Sequence, residues 1–212
     1  GLGSLVDRGG GEVAIPGGSY VAFLAPGLLV ATAMQIGAGD SSWPVIAGMK
    51  WQKTYHAALA TPIGTTDLVR GHLLWVAVRL LMATLAFVAV MAVFGAASVG
   101  AGLVALPVAV LTGLAFAAPV AAFAARLERD SGLAALFRFG IIPMFLFSGT
   151  FFPITQLPGW LQPVAYATPL WHGVELARGA VLGVATTAAA WVHVGYLAAI
   201  VALGVIGAQR AF

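Results

Sequence analysis

The sequence predicts an all-α polytopic membrane protein, on three observations. Of 212 residues, 61% are hydrophobic and 8% charged, against roughly 25% charged in a soluble domain. The mean hydropathy is +1.00, so the chain cannot cover itself with a water-compatible surface. Its apolar residues fall into runs of about 20, and at ~1.5 Å per residue such a run crosses a ~30 Å hydrocarbon core. The cations, in turn, collect at the ends of those runs rather than in a cluster. The formal charge of +3 therefore argues for membrane orientation and not for nucleic acid. Cysteine is absent, which removes disulfides and thiolate metal sites.

Residues 1–19 are Gly-rich and are expected to form a loop outside the lipid. The first span is expected over residues 20–39, with Pro26-Gly27 kinking it where neighbouring helices re-satisfy the backbone. A polar stretch from Asp40 to His72 follows. In it Trp51, Tyr55, Ala58 and Leu59 recur at i, i+4, i+7 and i+8, predicting one short amphipathic helix beside the membrane. Lys50 and Lys53 point elsewhere on that helix. Thr61-Pro62-Ile63-Gly64 ends it, and Thr66-Asp67 is a candidate N-cap for the next. This helix reads either as a docking surface for a soluble partner or as a plain connector between spans.

The second span is expected over 73–94 and the third over 103–125, joined by a short turn near Gly95. Ala117, Ala121 and Ala125 place small residues on one face of the third, the pattern that lets membrane helices approach closely. A charged turn from Arg126 to Asp130 leads to a fourth span over 132–152. Residues 153–182 are too broken by Pro153, Pro158, Pro163 and Pro169 to span, and too apolar for an ordinary loop. Two short helices dipping into the outer leaflet fit best, Leu157–Tyr166 and Leu170–Leu182. The last span runs over 191–208. The chain is expected to form a single transmembrane domain over 1–212.

Orientation follows from the cations. With the first span ending inside, Lys50, Lys53, Arg70, Arg126, Arg129 and Arg210 are cytoplasmic, and Arg8 and Arg178 lie outside. Arg79 and Arg138 fall near span starts, where each either snorkels to the interface or serves function. Trp43, Trp51, Trp75, Trp160, Trp171 and Trp191 all sit near proposed boundaries. Glu175 and Arg178, at i, i+3, read as a self-neutralising pair on the outer helix or as a polar lip over which substrate leaves.

Catalytic signals are weak. His56, His72, His172 and His193 show no metal-ligand spacing, no phosphate loop occurs, and nothing like GxSxG surrounds Ser148. If energy is used, another chain must supply it.

The segment FLFSGTFFPITQLPGWLQPVAYATPLWHGVELARG resembles the signature region of ABC-2 type exporter permeases. The positions carrying the likeness are Ser148, Gly149, Phe152, Pro153, Leu157, Pro158, Trp160, Leu161, Gln162, Pro169, Leu170, His172 and Arg178. The earlier segment KTYHAALATPIGTTDLVRGH resembles the same family's cytoplasmic loop, through Ala60–Ile63 and the Asp67 to Gly71 helix start. Within the family the likeness is nearest to the lipo-oligosaccharide (nodulation-factor) exporter permeases, then to the daunorubicin-resistance type. It implies a permease subunit in a bacterial cytoplasmic membrane, exporting an amphiphilic lipo-oligosaccharide, glycolipid or drug. Two permease copies, alike or homologous, would pair with two ABC ATP-binding subunits. ATP and Mg would sit on those partners, with no cofactor in this chain. Lys50, Trp51, Lys53, Thr54, Tyr55, Ala58, Thr61 and Pro62 would form the coupling interface. Pro153, Pro158, Trp160, Pro169, His172, Glu175 and Arg178 would belong to a re-entrant exit gate. The family has six spans, so the chain is expected to lack the first.

Two rival classes make different demands. A proton-coupled or facilitative carrier wants an inverted repeat and mid-membrane carboxylates, and would respond to mutation of Arg79, Arg138 or Glu175. A membrane-embedded enzyme would rest on Ser148 and His172 and be abolished by Ser148→Ala.

Overall fold

The computed structural model describes residues 20–183 and 187–212. The expected loop over residues 1–19, with Arg8, lies outside the described residues. Among those described, all regular structure is helical. The elements are α1 (Tyr20–Asp40), α2 (Trp43–Ile46, continued by a π turn over Ala47–Trp51), α3 (Thr54–Leu59), α4 (Thr65–Val93) and α5 (Val99–Arg126). After them come α6 (Ser131–Phe147, with a π turn over Phe137–Ile141), a 3₁₀ turn (Ile154–Gln156), α7 (Gln162–Tyr166), α8 (Pro169–Leu182) and α9 (Thr187–Ala211).

Among the described residues, four helical stretches are long and apolar enough to cross a membrane: Tyr20–Trp51, Thr65–Val93, Val99–Arg126 and Ala190–Ala211. The fourth expected span is shorter than its apolar run. It stops at Phe147, so Ser131–Phe147 is about 25 Å long at ~1.5 Å per residue. The cause is local: Gly149 adopts φ 79°, a left-handed conformation that ends the helix, and Pro153 follows. In contrast, α4 begins eight residues before the apolar run at 73. The Gly64 N–H donates to Asp67 Oδ2 at 3.1 Å, capping the helix early, so Arg70 and His72 ride on it. Helix α7 starts at Gln162 rather than 157, because Leu157 is extended and Pro158–Leu161 forms a turn closed by the Leu161 N–H donating to the Pro158 carbonyl at 2.8 Å.

Helix α5 is the post on which the others lean, and its small residues are the reason. Ala117, Ala121 and Ala125, the face picked out by their spacing, are buried together with Ala105, Ala109 and Ala118. Helices α1, α4, α8 and α9 all pack on α5. The α1 contact is backbone to backbone: a methyl group on Gly37 would overlap the carbonyl of Gly113. Helix α9 runs parallel to α5. Leu197 clusters with Ala115, a Cβ on Gly204 would strike Pro119, and Gly207 faces Ala122. The most apolar window of α1 is 61% buried within the bundle, whereas that of α9 is 11% buried. Helix α9 therefore presents most of its surface outward.

Candidate functional site

The α2–α3 segment closes one end of the bundle. It is not the single amphipathic helix that the spacing predicts. Lys53 sits at φ 55°, ψ 24°, so the chain turns sharply between the π turn and α3. A left-handed non-glycine residue costs roughly 1–2 kcal/mol, which the surrounding contacts must offset. Trp51 therefore belongs to the upstream element and is exposed, while Tyr55, Ala58 and Leu59 share α3. Lys53, Thr54, Thr61 and Pro62 are also exposed. Thr61 Oγ1 donates to the Ala58 carbonyl at 2.6 Å and rounds off the helix.

Two side-chain contacts tie this platform to the span ends, and an open groove lies beside it. Lys50 Nζ donates to Glu128 Oε1 at 2.9 Å, just beyond the end of α5. That hydrogen bond, and then the charge of Lys50, hold the Glu128 carboxyl below its ordinary value. The Tyr55 ring meets Phe212, after α9, edge-on at 5.0 Å. Burial pushes the Tyr55 phenol up, so it stays neutral. Tyr55, Pro62 and Ile63 finally face Asp67, Leu68, His72 and Trp75 of α4 across an open groove of about 520 Å³.

Behind the platform lies a polar seam. Arg79 Nη1 donates to Asp40 Oδ1 at 2.8 Å, and Ser41 Oγ bonds His72 Nε2 at 3.0 Å. Ser42 Oγ donates to the Gly39 carbonyl at 2.7 Å. Both serines are fully buried, and Asp40 Oδ2 is buried without a partner. Arg79 thus joins α4 to α1, instead of standing alone at an interface. The pair is not visible in the sequence, because Asp40 lies 39 residues from Arg79, at the rim of a polar stretch.

At the opposite end Arg178 is only 7% exposed. It is not part of an outer lip. Its Nε donates to the Phe23 carbonyl at 3.2 Å, and its Nη2 to the carbonyls of Gly149 at 2.6 Å and Thr150 at 3.1 Å. The guanidinium carbon lies 3.7 Å from the centroid of the Phe23 ring. Glu175 stays exposed, 3.9 Å from Nη1. Arg178 therefore ties α1, the Ser148–Phe152 turn and α8 together, a geometry set by the turn's unpaired carbonyls.

Beside it an aromatic cluster joins α8 to α9. His172 Nδ1 and His193 Nδ1 are 2.6 Å apart, Trp171 packs on both rings, and Tyr196 stacks on His172 at 3.9 Å. Tyr196 also donates to the Ala167 carbonyl. Ser148 Oγ bonds Thr168 Oγ1 at 2.8 Å, so Ser148 and His172 engage different partners and not each other. Thr168 caps α8 by accepting from the Trp171 N–H at 3.3 Å, with Pro169 at the first helical position. Pro153 opens the 3₁₀ turn, Pro158 follows it, and Trp160 is exposed. Among the described residues no three His, Asp or Glu side chains converge as a metal site.

The sequence profile of the ABC-2 type transporter family matches residues 7–182. Nodulation protein J of Sinorhizobium fredii is 37% identical over 185 residues, covering 86% of this chain and 67% of that relative. Nodulation protein J of Rhizobium meliloti is 34% identical over 195 residues, covering 92% and 70%. The same-named protein of Rhizobium leguminosarum bv. viciae is 34% identical over 197 residues, covering 93% and 73%. With its apolar helices and its match along most of its length, the chain belongs to the ABC-2 type transporter family, as a multi-pass integral membrane transport protein.

Proposed function

We propose that this chain is the permease subunit of an ABC exporter in the bacterial cytoplasmic membrane, moving an amphiphile outward with ATP and Mg held by a separate ATP-binding subunit. The amphiphile is a lipo-oligosaccharide or a related glycolipid. The similarity to several proteins named Nodulation protein J supports that choice. A second permease copy completes the bundle as a homodimer or heterodimer, each copy being one transmembrane domain.

One observation carries the reading. The α2–α3 platform is exposed on its outer side yet tied by Lys50–Glu128 and Tyr55–Phe212 to the ends of α5 and α9. A push on such a platform moves the spans as bodies. Lys50, Trp51, Lys53, Thr54, Tyr55, Ala58, Thr61 and Pro62 form the coupling interface in this reading. Pro153, Pro158, Trp160, Pro169, His172 and Glu175 belong to the exit gate, and Arg178 is the tie that holds that gate on α1.

The test uses the permease reconstituted with its ATPase. Lys53→Glu combined with Ala57→Trp changes two exposed positions and leaves the intrachain ties alone. Coupled transport should fall about tenfold, equivalent to ~1.4 kcal/mol of lost docking, with the melting temperature unchanged. Undiminished coupled transport would remove α3 from the interface. Uphill movement without any nucleotide-hydrolysing subunit would overturn the exporter reading itself.

A further inference from the structure

We propose that the groove between α5 and α9 is a binding site for an anionic phospholipid, with an acyl chain along its apolar floor and the phosphate on Arg126. The groove holds about 340 Å³ and opens to the outside of the bundle. Pro119, Phe123 and Arg126 line it from α5, and Ile200, Leu203 and Gly204 from α9. At the floor the two helices approach so closely that a Cβ on Gly204 would strike the backbone of Pro119 and Ala118. Phe123 and Leu203 stand exposed on either side.

Charge decides the occupant. Arg126 is the last residue of α5 and lies at the groove's end, where it is exposed. Arg210 follows Leu203 by seven positions, two helical turns, so it shares that face of α9. Because α5 and α9 run parallel, both arginines sit at the same end of the bundle as the Lys50 platform. Among the described residues neither side chain makes an ion pair or hydrogen bond. The neighbouring acid, Glu128, is already engaged by Lys50. An apolar slot between spans that ends in the unpaired Arg126 at the membrane surface, with Arg210 at the same end of the bundle adding to the positive field, matches a lipid phosphate with an acyl tail. A zwitterionic headgroup would bring its own cation to the same place and gain less.

The chain has no cysteine, so Leu203→Cys gives one labelling site in the groove wall and Val104→Cys, exposed on α5, a control site. The probes are vesicles of brominated phosphatidylglycerol mixed with phosphatidylcholine, and the reverse, with quenching of the attached fluorophore as readout. At position 203 the phosphatidylglycerol should be preferred about fivefold, the factor one arginine contributes at a membrane surface. At position 104 the preference should be about one. Adding Arg126→Gln should bring position 203 to about one, Arg126→Lys should keep most of the preference, and Arg129→Gln should leave it intact. Equal quenching by the two lipids at position 203 means annular lipid only and overturns the proposal. So does a preference that survives Arg126→Gln, or one that Arg129→Gln removes, since each reports general surface charge.

Discussion

Replacing Arg79 by Met should destabilise the protein far more than replacing Asp40 by Asn, although the two side chains form one ion pair. The reason is their unequal exposure. The Asp40 side chain is 17% exposed and its Oδ2 has no partner, whereas the Arg79 side chain is 50% exposed. Arg79→Met strands a half-buried carboxylate whose Oδ2 has no partner, at a cost of about 3 kcal/mol. Asp40→Asn leaves an arginine that can extend its head toward the interface, and half-exposed charges are discounted for screening, so about 1 kcal/mol is expected. The double variant Asp40→Asn, Arg79→Met removes the stranded charge and should cost only about 2 kcal/mol, a coupling of about 2 kcal/mol against the sum. The assay is reversible unfolding of the reconstituted protein in bicelles, run for all four members of the cycle. Equal costs for the two single variants, or additivity within about 0.5 kcal/mol, would refute the claim that Asp40 is held inside the bundle by Arg79.

Arg178→Met should cost about 3–5 kcal/mol, since it leaves three carbonyls without their donor. Arg178→Lys should recover less than half, because an ammonium cannot reproduce the fork; unfolding of both variants measures this. Gly37→Ala should cost about 2–4 kcal/mol by driving a methyl into the Gly113 backbone, while Gly39→Ala meets open space and should be neutral or slightly stabilising. Wild type and Glu128→Gln should differ in melting temperature at neutral pH. Because the folded-state value of Glu128 lies below its ordinary 4.5, the difference is fully present above that value. It should disappear as pH falls through the lower one, and high salt should shrink it at neutral pH.

Much of the fold was legible because its causes are local. Runs of apolar residues set α1, α4, α5 and α9, and the spacing of Ala117, Ala121 and Ala125 marked the face that packs. The early start of α4 was half legible: Thr66-Asp67 pointed to a cap, and the Gly64–Asp67 bond supplies it. What was not legible depends on partners distant in sequence. Arg178 reads as exposed beside Glu175 until Phe23, 155 residues earlier, is brought to it. Arg79 and Asp40 read as separate charges for the same reason. His172 and His193 lie on different segments, and only the packing of α8 on α9 joins them. The break at Lys53 left no signal, since helical spacing continues across it and nothing in a lysine announces a left-handed backbone.

The packing order around α5 also bears on how the protein is made. The alanine-lined flank that receives α9 is finished at Arg126, but α9 does not begin until Thr187, 61 positions later (187 − 126). At ~5–20 residues per second of synthesis, that flank waits roughly 3–12 s in the bilayer for its companion. During that interval, any other small-residue helix entering the membrane is a competitor for the same flank.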